Sequence, residues 1–130
     1  MRTFEEIKHL SEFDRDLKQL KKRFRTIEDD LERLLQYSVY AYHKLGQDNE
    51  GIKRISGLNI DCPKIYKVRK FTCLYLKGTG SYSGLRLIYA YYEDKDTIEL
   101  VEIYFKGDKT NEARDRIYKH YKKGNWENFW

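Results

Sequence analysis

The sequence predicts an α+β fold in which an N-terminal helix hairpin packs on an antiparallel sheet of three or four strands, followed by a C-terminal helix. Two early segments repeat apolar residues with the period of an amphipathic helix, whereas three later segments are rich in β-branched and aromatic residues. Helical periodicity then returns in "NEARDRIYKHYKK". With 130 residues, the chain is expected to form one domain over residues 1–130.

The two early helices begin with similar polar signals. The first is predicted in "SEFDRDLKQLKKRF", where Ser11 is an expected N-cap and Asp14 follows three residues later. The second is predicted in "TIEDDLERLLQYSVYAY", where Thr26 and Asp29 repeat that spacing. Because the connection between the two segments is short, we expect an antiparallel hairpin.

Two segments flank this hairpin. Ahead of it, "EEIKHL" fits either a short strand or an extension of the first helix, and we favour the strand. Behind it, "HKLGQDNEGIKRISGLNIDCP" holds three glycines and the only proline of the chain. This composition predicts a connector without regular structure.

The segments "KIYKVRKFTCLYL", "GLRLIYAYY" and "TIELVEIYF" predict a meander of three antiparallel strands. The glycine-rich "KGTGSYSG" between the first two could suggest a phosphate-binding loop. However, it leads into a strand rather than a helix, and it lacks the Lys-Ser/Thr ending of such loops. We therefore interpret it as a wide hairpin turn.

Positive charge is concentrated in one stretch of the chain. The net charge is +5, but the stretch from Cys62 to Tyr92 has no Asp or Glu and carries +6 by itself. Such a stretch favours a polyanionic partner, because lysine and arginine release counterions when they bind phosphates. A solvated sheet face would explain the charge equally well.

The composition also bears on location and on metals. No apolar run reaches the roughly 18 residues of a membrane span, and "MRTFEEIKHL" has acids where a signal peptide would be apolar. Cys62 and Cys73 have no metal-binding spacing, and the three histidines are scattered. We expect a cytoplasmic protein whose cysteines are reduced, with no membrane association, no metal site and no cofactor.

Strand alternation predicts a cluster of cations on one sheet face. Lys67 and Arg69 share a face because they are two residues apart. Arg86 joins them on the open face if the leucines on either side of it point towards the helices. Lys106, at the end of the third strand, closes the cluster from the side. Because like charges repel, a bound anion would stabilise the cluster, so these residues suggest a phosphate site.

The order of these elements resembles the RelE/ParE superfamily of bacterial toxin–antitoxin toxins, over roughly residues 7–118. After the helix hairpin come "KRISGL", "YKVRK", a glycine turn, "GLRLIYAYY" and "LVEIYFKGDKTNE". Three strand motifs of the family, Y-K-x-R, G-x-R-x-x-Y and I-Y-x-K, match this sequence. The matching residues are Tyr66, Lys67 and Arg69; Gly84, Arg86 and Tyr89; and Ile103, Tyr104 and Lys106.

The resemblance implies the toxin of a type II toxin–antitoxin system, with a cognate antitoxin protein as partner. RelE-like members cut mRNA without a metal, usually on the ribosome, and so inhibit translation. ParE-like members keep the fold but act on DNA gyrase. We favour the hypothesis of an mRNA endoribonuclease (mRNA interferase). The alternative is a toxin that acts on gyrase, and a third hypothesis is an RNA-binding module of the same fold that has lost activity. The antitoxin is expected to place acidic side chains on the basic surface.

By analogy with the nucleases, Arg69 and Arg86 would hold the scissile phosphate, since a guanidinium can bind it bidentately. Lys67 would stabilise the developing charge or, with a lowered pKa, act as a base. Lys106 would assist. Further RNA contacts are predicted for three lysines of the basic stretch: Lys64, Lys70 and Lys77.

The general acid or base has no clear position in the sequence. The nucleases often place a Tyr or His about seven residues beyond the last strand, where this chain has Ala113 and Arg114. The nearest candidates, Tyr118, His120 and Tyr121, come later in the last predicted helix. The aromatic "WENFW" at the end either folds back on the core or forms a docking patch for a partner.

Overall fold

A computed structural model of the protein describes residues 4–122. Its strands are β1 (Glu6–His9), β2 (Ile52–Arg54), β3 (Lys64–Val68), β4 (Leu85–Tyr92) and β5 (Thr97–Phe105). Its α-helices are α1 (Ser11–Lys21), α2 (Ile27–Leu34), α3 (Tyr40–Lys44) and α4 (Arg114–Tyr121). A π-helical turn, Leu35–Val39, joins α2 to α3. Between residues 4 and 122, no helix has the length and apolar character needed to cross a membrane. The segment "WENFW" lies outside the described residues.

The sheet confirms the predicted α+β class but corrects the number and direction of its strands. Five strands follow the order β1-β5-β4-β3-β2, and β1 is parallel to β5 whereas every other pair is antiparallel. The meander β3–β4–β5 and the short strand β1 were predicted. β2 lies inside the predicted connector and adds an edge strand. The sheet is mixed rather than antiparallel because β1 runs parallel to β5.

The helix hairpin forms where the apolar periodicity predicts it, but its helices are capped differently. Ser11 is the first helical residue rather than the N-cap, and Leu10 precedes it. Thr26 is at the N-cap position of α2, yet its hydroxyl donates to the Asp30 carboxylate at 2.7 Å instead of accepting a helix N–H. That hydroxyl also accepts the backbone N–H of Tyr75, so it joins the hairpin to the loop between β3 and β4.

The larger core lies between the helix hairpin and one face of the sheet. Strand alternation supplies the sheet side of this core, because every second side chain of β3 and β4 points towards the helices, and β5 contributes residues on either side of an irregularity described below. Its sheet residues include Val68, Leu85, Leu87, Tyr89, Leu100 and Ile103. Its helix residues include Phe13, Leu20, Ile27, Leu31 and Leu34.

A second, smaller core covers part of the opposite sheet face. Ile117 of α4 is fully buried there against residues of β4 and β5. The connector contributes Leu58 and Ile60 to the same cluster. Burying these side chains fixes α4 and the end of the connector on the face opposite to the helix hairpin. The part of this face that they leave open holds the candidate site.

A β-bulge interrupts β5 at its middle. Ile88 pairs with Glu102, but the next residue, Tyr89, pairs with Leu100, so Val101 is an extra residue on β5. As a result Val101 and Glu102 both lie on the α4 side, where strict alternation would place them on opposite faces. The bulge therefore brings a carboxylate, Glu102, to the side of the sheet that carries the candidate site.

Candidate functional site

The open part of the α4 face forms a groove of about 480 Å³, which we call the cationic groove. Residues of β2, β3, β4, the segment after β5 and the start of α4 line it. The lining holds seven cationic side chains and one carboxylate among the described residues. The cations are Lys53, Arg54, Lys67, Arg69, Arg86, Lys106 and Arg114, and the carboxylate is Glu112.

Alternation along β3 and β4 explains why the central cations face this groove. Val68, Leu85 and Leu87 are completely buried on the helix side. Their neighbours in sequence therefore point to the opposite side, and Lys67 and Arg86 line the groove as expected. The structure brings together all four predicted catalytic candidates, because Arg69 and Lys106 line the same groove.

Arg86 is held by backbone carbonyls rather than by an acid. One guanidinium nitrogen, Nη1, donates to the carbonyl of Arg69 at 3.1 Å and to that of Leu85 at 3.2 Å. Across residues 4–122 Arg86 makes no ion pair with a carboxylate, so its charge is not neutralised within the described chain. The two carbonyls fix the side chain, while its other N–H groups are free to bind an anion.

Lys67 forms an ion pair with Glu112, and this pair bears on whether Lys67 is charged. Its Nζ lies 3.0 Å from Oε1 of Glu112, and the Lys67 side chain is only 18% exposed. Burial alone would lower the pKa of Lys67, but its interactions with Tyr104 and with Glu112 outweigh burial and raise it. In the free protein Lys67 is therefore held as a cation, which favours its predicted role in charge stabilisation over its predicted role as a base.

Glu112 is the one carboxylate of the groove lining, and it was not predicted from the sequence. Its carboxylate bridges two cations, with Lys67 on one oxygen and Arg114 Nε at 3.3 Å from the other. Burial would raise the pKa of Glu112, but a hydrogen bond to its own backbone N–H and the Lys67 contact outweigh burial and lower it. Glu112 is therefore ionised at neutral pH although its side chain is only 7% exposed.

Glu102 holds the segment between β5 and α4 in place through two contacts. This buried carboxylate accepts the backbone N–H of Ala113 at 2.7 Å and forms an ion pair with Lys109. Because Ala113 directly follows Glu112, the hydrogen bond fixes the backbone next to the groove carboxylate. At the other end of the segment, Lys106 donates its backbone N–H to the carbonyl of Gly84 at 2.8 Å.

Tyr104 lies beside this group on β5, directly opposite Arg86. Its ring is within 5.8 Å of the Lys67 ammonium and 5.1 Å of the Lys109 ammonium. Its hydroxyl is buried and makes no hydrogen bond within the described chain. The ring thus offers its negative π-face to two cations, which moderates their mutual repulsion.

Three further groove cations, Lys53, Arg54 and Arg114, were not assigned from the sequence. Lys53 and Arg54 belong to β2, whose pairing with β3 sets Lys53 opposite Lys67. Arg54 donates to the carbonyl of Ile60 at 3.3 Å. The one sequence signal was the pair of cations between two isoleucines in "IKRI", which is typical of a short half-buried strand.

The lysines predicted to bind RNA lie away from the groove. Lys64 is at the opposite end of β3, 3.6 Å from Glu93. Lys70 points towards the other side, where it donates to the carbonyl of Asn49 and lines a separate cavity next to α2. Lys77 is exposed in the loop between β3 and β4. Their proposed RNA contacts would need a surface larger than the groove.

The acid/base candidates of the last helix are also outside the groove. Tyr118 packs against the smaller core, and the Lys122 ammonium lies over its ring. His120 Nε2 lies 2.9 Å from the Glu12 carboxylate, so it joins α4 to α1. Neither side chain is part of the groove lining. Their predicted role as acid or base is therefore not supported by where the structure places them.

Comparison with known proteins concerns the fold. No family model matches the chain, and no curated protein sequence matches it. Among solved structures, a chain in the crystal structure of the archaeal RelE–RelB complex from Pyrococcus horikoshii OT3 superposes with a TM-score of 0.50 at 14% identity. The match covers 83% of this chain and 100% of the archaeal one.

Two other structures are similar at lower scores. A conserved hypothetical protein from Helicobacter pylori has a TM-score of 0.47 at 21% identity, covering 78% of this chain and 94% of that one. An arginine-to-alanine mutant of the E. coli toxin RelE in the free state has a TM-score of 0.45 at 18% identity, covering 83% and 87%. Taken with the mixed sheet, the helix hairpin and α4, the archaeal match shows that the chain has a RelE-like fold.

Proposed function

We propose that the protein is the toxin of a toxin–antitoxin pair and that it cuts mRNA as a metal-independent endoribonuclease, thereby inhibiting translation. The observation that carries this proposal is the cationic groove, where seven cations surround a single carboxylate. An RNA backbone is a polyanion with one phosphate per nucleotide, so it is the ligand whose charge best complements such a surface. The RelE-like fold is consistent with this function.

Arg69 and Arg86 are the proposed phosphate ligands. Arg86 has no carboxylate partner within residues 4–122, and its Nη1 is anchored on the Arg69 carbonyl, so the two residues are adjacent. Two guanidinium groups next to each other can hold the non-bridging oxygens of one phosphate by charge-assisted hydrogen bonds. These contacts strengthen as the phosphate gains negative charge in the transition state, which is the condition for catalysis rather than binding alone.

Lys67 and Lys106 have supporting roles in this proposal. Lys67 remains protonated, since its pKa is raised, and it supplies positive charge next to the reacting phosphate. Lys106 lies at the exit of β5 and lines the same groove. Lys53, Arg54 and Arg114 extend the charged surface and would bind the neighbouring phosphates of the chain.

The partner that restrains such a toxin would be an antitoxin protein with acidic side chains directed into the cationic groove. The archaeal structure with the same fold is a RelE–RelB complex, so a protein partner is consistent with the fold. Charge complementarity would speed the association and make its rate depend on salt. An association rate indifferent to ionic strength would contradict this part of the proposal.

The test of the nuclease uses the purified protein and a defined mRNA, both free and on translating ribosomes. We expect cleavage that persists in EDTA and leaves a 2′,3′-cyclic phosphate on the upstream fragment and a 5′-hydroxyl on the downstream one. In parallel, induced expression in cells is followed by separate measurement of mRNA decay and DNA breaks. Broken DNA with intact mRNA would overturn the proposal and would identify DNA gyrase as the target.

A further inference from the structure

We propose that Glu112 is the general base of the cleavage reaction, a catalytic residue that accepts the proton of the ribose 2′-hydroxyl. This inference rests on the proposed endoribonuclease function. The groove is lined by seven cations, yet it contains one carboxylate, Glu112. That carboxylate lies against Lys67, next to the proposed phosphate ligands.

The position of Glu112 relative to the phosphate ligands is fixed by the sheet. Lys67 pairs with Ile88 on β4, two residues along the strand from Arg86, and both cations point into the groove. Side chains related by two residues across neighbouring strands are about 7–8 Å apart at their Cα atoms. A phosphate held by Arg86 therefore lies within one nucleotide of Lys67 and of the carboxylate that Lys67 contacts at 3.0 Å.

No other groove side chain among the described residues suits this role as well. Seven are cations, which hold their protons at neutral pH. Ser56, Thr110 and Asn111 carry hydroxyl or amide groups, which are very weak bases. Glu112 is ionised, and its carboxylate oxygens can accept a proton once the RNA draws Lys67 and Arg114 towards its phosphates.

The salt bridge to Lys67 also explains how the base becomes active only with substrate. In the free protein two cations hold the carboxylate and lower its pKa, which weakens it as a base. When a phosphate binds, its negative charge competes for Lys67 and Arg114, and the basicity of Glu112 rises. The carboxylate would then be strengthened by the same ligand that brings the 2′-hydroxyl.

The step balances without a cofactor. The ribose O2′ forms a bond to phosphorus as its proton moves to a carboxylate oxygen of Glu112, and the P–O5′ bond breaks. The leaving O5′ takes a proton from water in the open groove. The products are a 2′,3′-cyclic phosphate and a 5′-hydroxyl, and Glu112 returns its proton to solvent. Arg69 and Arg86 neutralise the charge on the non-bridging oxygens throughout.

The deciding experiment compares Glu112→Gln with the wild-type protein on one RNA. Glutamine keeps the size and the polar contact to Lys67 but accepts no proton at neutral pH. We expect the single-turnover cleavage rate to fall by about 100-fold or more. The affinity for a 2′-O-methyl RNA, which cannot be cleaved, should stay equal or increase, since a negative charge is removed from a cationic groove. Glu6→Gln, an exposed position on β1, is the matched control and should cleave like the wild type.

The pH profile separates a base from a residue that only positions Lys67. The wild-type rate should fall on the acidic side as Glu112 becomes protonated, and this acid limb should be absent from Glu112→Gln. Glu112→Asp keeps a carboxylate on a shorter side chain, so it should cleave at an intermediate rate and retain the acid limb. It also keeps the test decisive if the glutamine variant does not fold, as judged by circular dichroism.

The outcomes distinguish the two proposals. A folded wild-type protein that cleaves no RNA, free or on ribosomes, overturns both the nuclease and the role of Glu112. A wild type that cleaves RNA, together with a Glu112→Gln protein that cleaves within about threefold of it, overturns only the general base. An acid limb that persists unchanged in Glu112→Gln has the same meaning, because the titrating group would then be another residue.

Discussion

The buried carboxylate of Glu102 accepts the backbone N–H of Ala113 at 2.7 Å, and so fixes the residue that follows the groove carboxylate Glu112. The same Glu102 forms an ion pair with Lys109 in the segment between β5 and α4. One side chain at a β-bulge thus orders the whole segment that carries the proposed base. Glu102 is not among the residues that line the groove, so it acts by positioning.

Glu102→Ala should destabilise the fold by about 2 kcal/mol, because it leaves the Ala113 N–H and Lys109 without their buried partner. Urea unfolding at neutral pH measures the loss. Glu102→Gln is the control, since its amide oxygen can still accept the N–H and only the ion pair is lost, so it should cost less. Equal losses in the two variants would show that the hydrogen bond to Ala113 contributes little.

Arg86→Ala should lower the RNA cleavage rate by about 100-fold, the loss expected when one bidentate contact to a transition-state phosphate is removed. Arg86→Lys should rescue only part of the rate, because an ammonium cannot make the forked contact. Arg15→Ala removes the same charge from an exposed position of α1 and should cleave like the wild type. Wild-type cleavage by a folded Arg86→Ala protein would remove Arg86 from the site.

RNA binding by the cationic groove should weaken steeply with salt. For single-stranded RNA the logarithm of the affinity falls with a slope of about −0.7 per neutralised phosphate. Arg54→Ala, at the β2 side of the groove, should make the slope shallower by about that amount. The measurement is fluorescence anisotropy of a labelled 2′-O-methyl RNA across a salt series. A slope unaffected by this variant would place the RNA elsewhere on the surface.

His43 should make the fold less stable in mild acid. Its Nε2 lies 2.7 Å from the hydroxyl of Tyr89, and burial, together with the charges of Lys44 and Lys64, lowers the pKa of His43 to about 4. Well above pH 6.5 the ring is neutral in both the folded and the unfolded chain, so the contribution of His43 to stability is complete. As the pH falls from 6.5 towards 4, the unfolded chain binds a proton that the folded one does not, and stability is lost.

We expect this loss to reach about 2 kcal/mol near pH 4, less than the full pKa difference would give, because the ring is only partly buried. The measurement is urea unfolding of the wild type and of His43→Gln between pH 4 and 7.5. The glutamine variant does not titrate, so its stability should depend less on pH in this range. Parallel pH curves for the two proteins would show that His43 does not control acid stability.

Much of the fold could be predicted because its elements are long and strongly periodic. The strands β3, β4 and β5 and the helices α1 and α2 have apolar residues at the spacing of their structures. β2 has only three residues, which is too short for a period, and it lies in a glycine-rich connector that resembles a loop. Local polar signals also misled at Ser11, because Leu10 precedes the helix and no side chain caps it.

The site could be predicted only where a regular strand carries it. Lys67 and Arg86 followed from alternation, because buried neighbours on both sides fix the direction of their side chains. Glu112 could not be predicted, since it lies in an irregular segment whose path depends on the hydrogen bond from Ala113 to Glu102. That bond depends on the bulge at Val101, which leaves no local mark in "TIELVEIYF".

Because Val101 is an extra residue, the core-facing residues of β5 have even numbers before the bulge and odd numbers after it. In the first half the even positions Ile98 and Leu100 face the helix hairpin, and in the second half the odd position Ile103 does. Because Val101 and Glu102 lie on the same side, deleting the codon for Val101 would restore strict alternation along β5 and leave Ile103 and Lys106 facing as they do now. A relative without this residue would keep the same core and groove faces, but an alignment that omits the one-residue gap would assign core residues to the site throughout the second half of the strand.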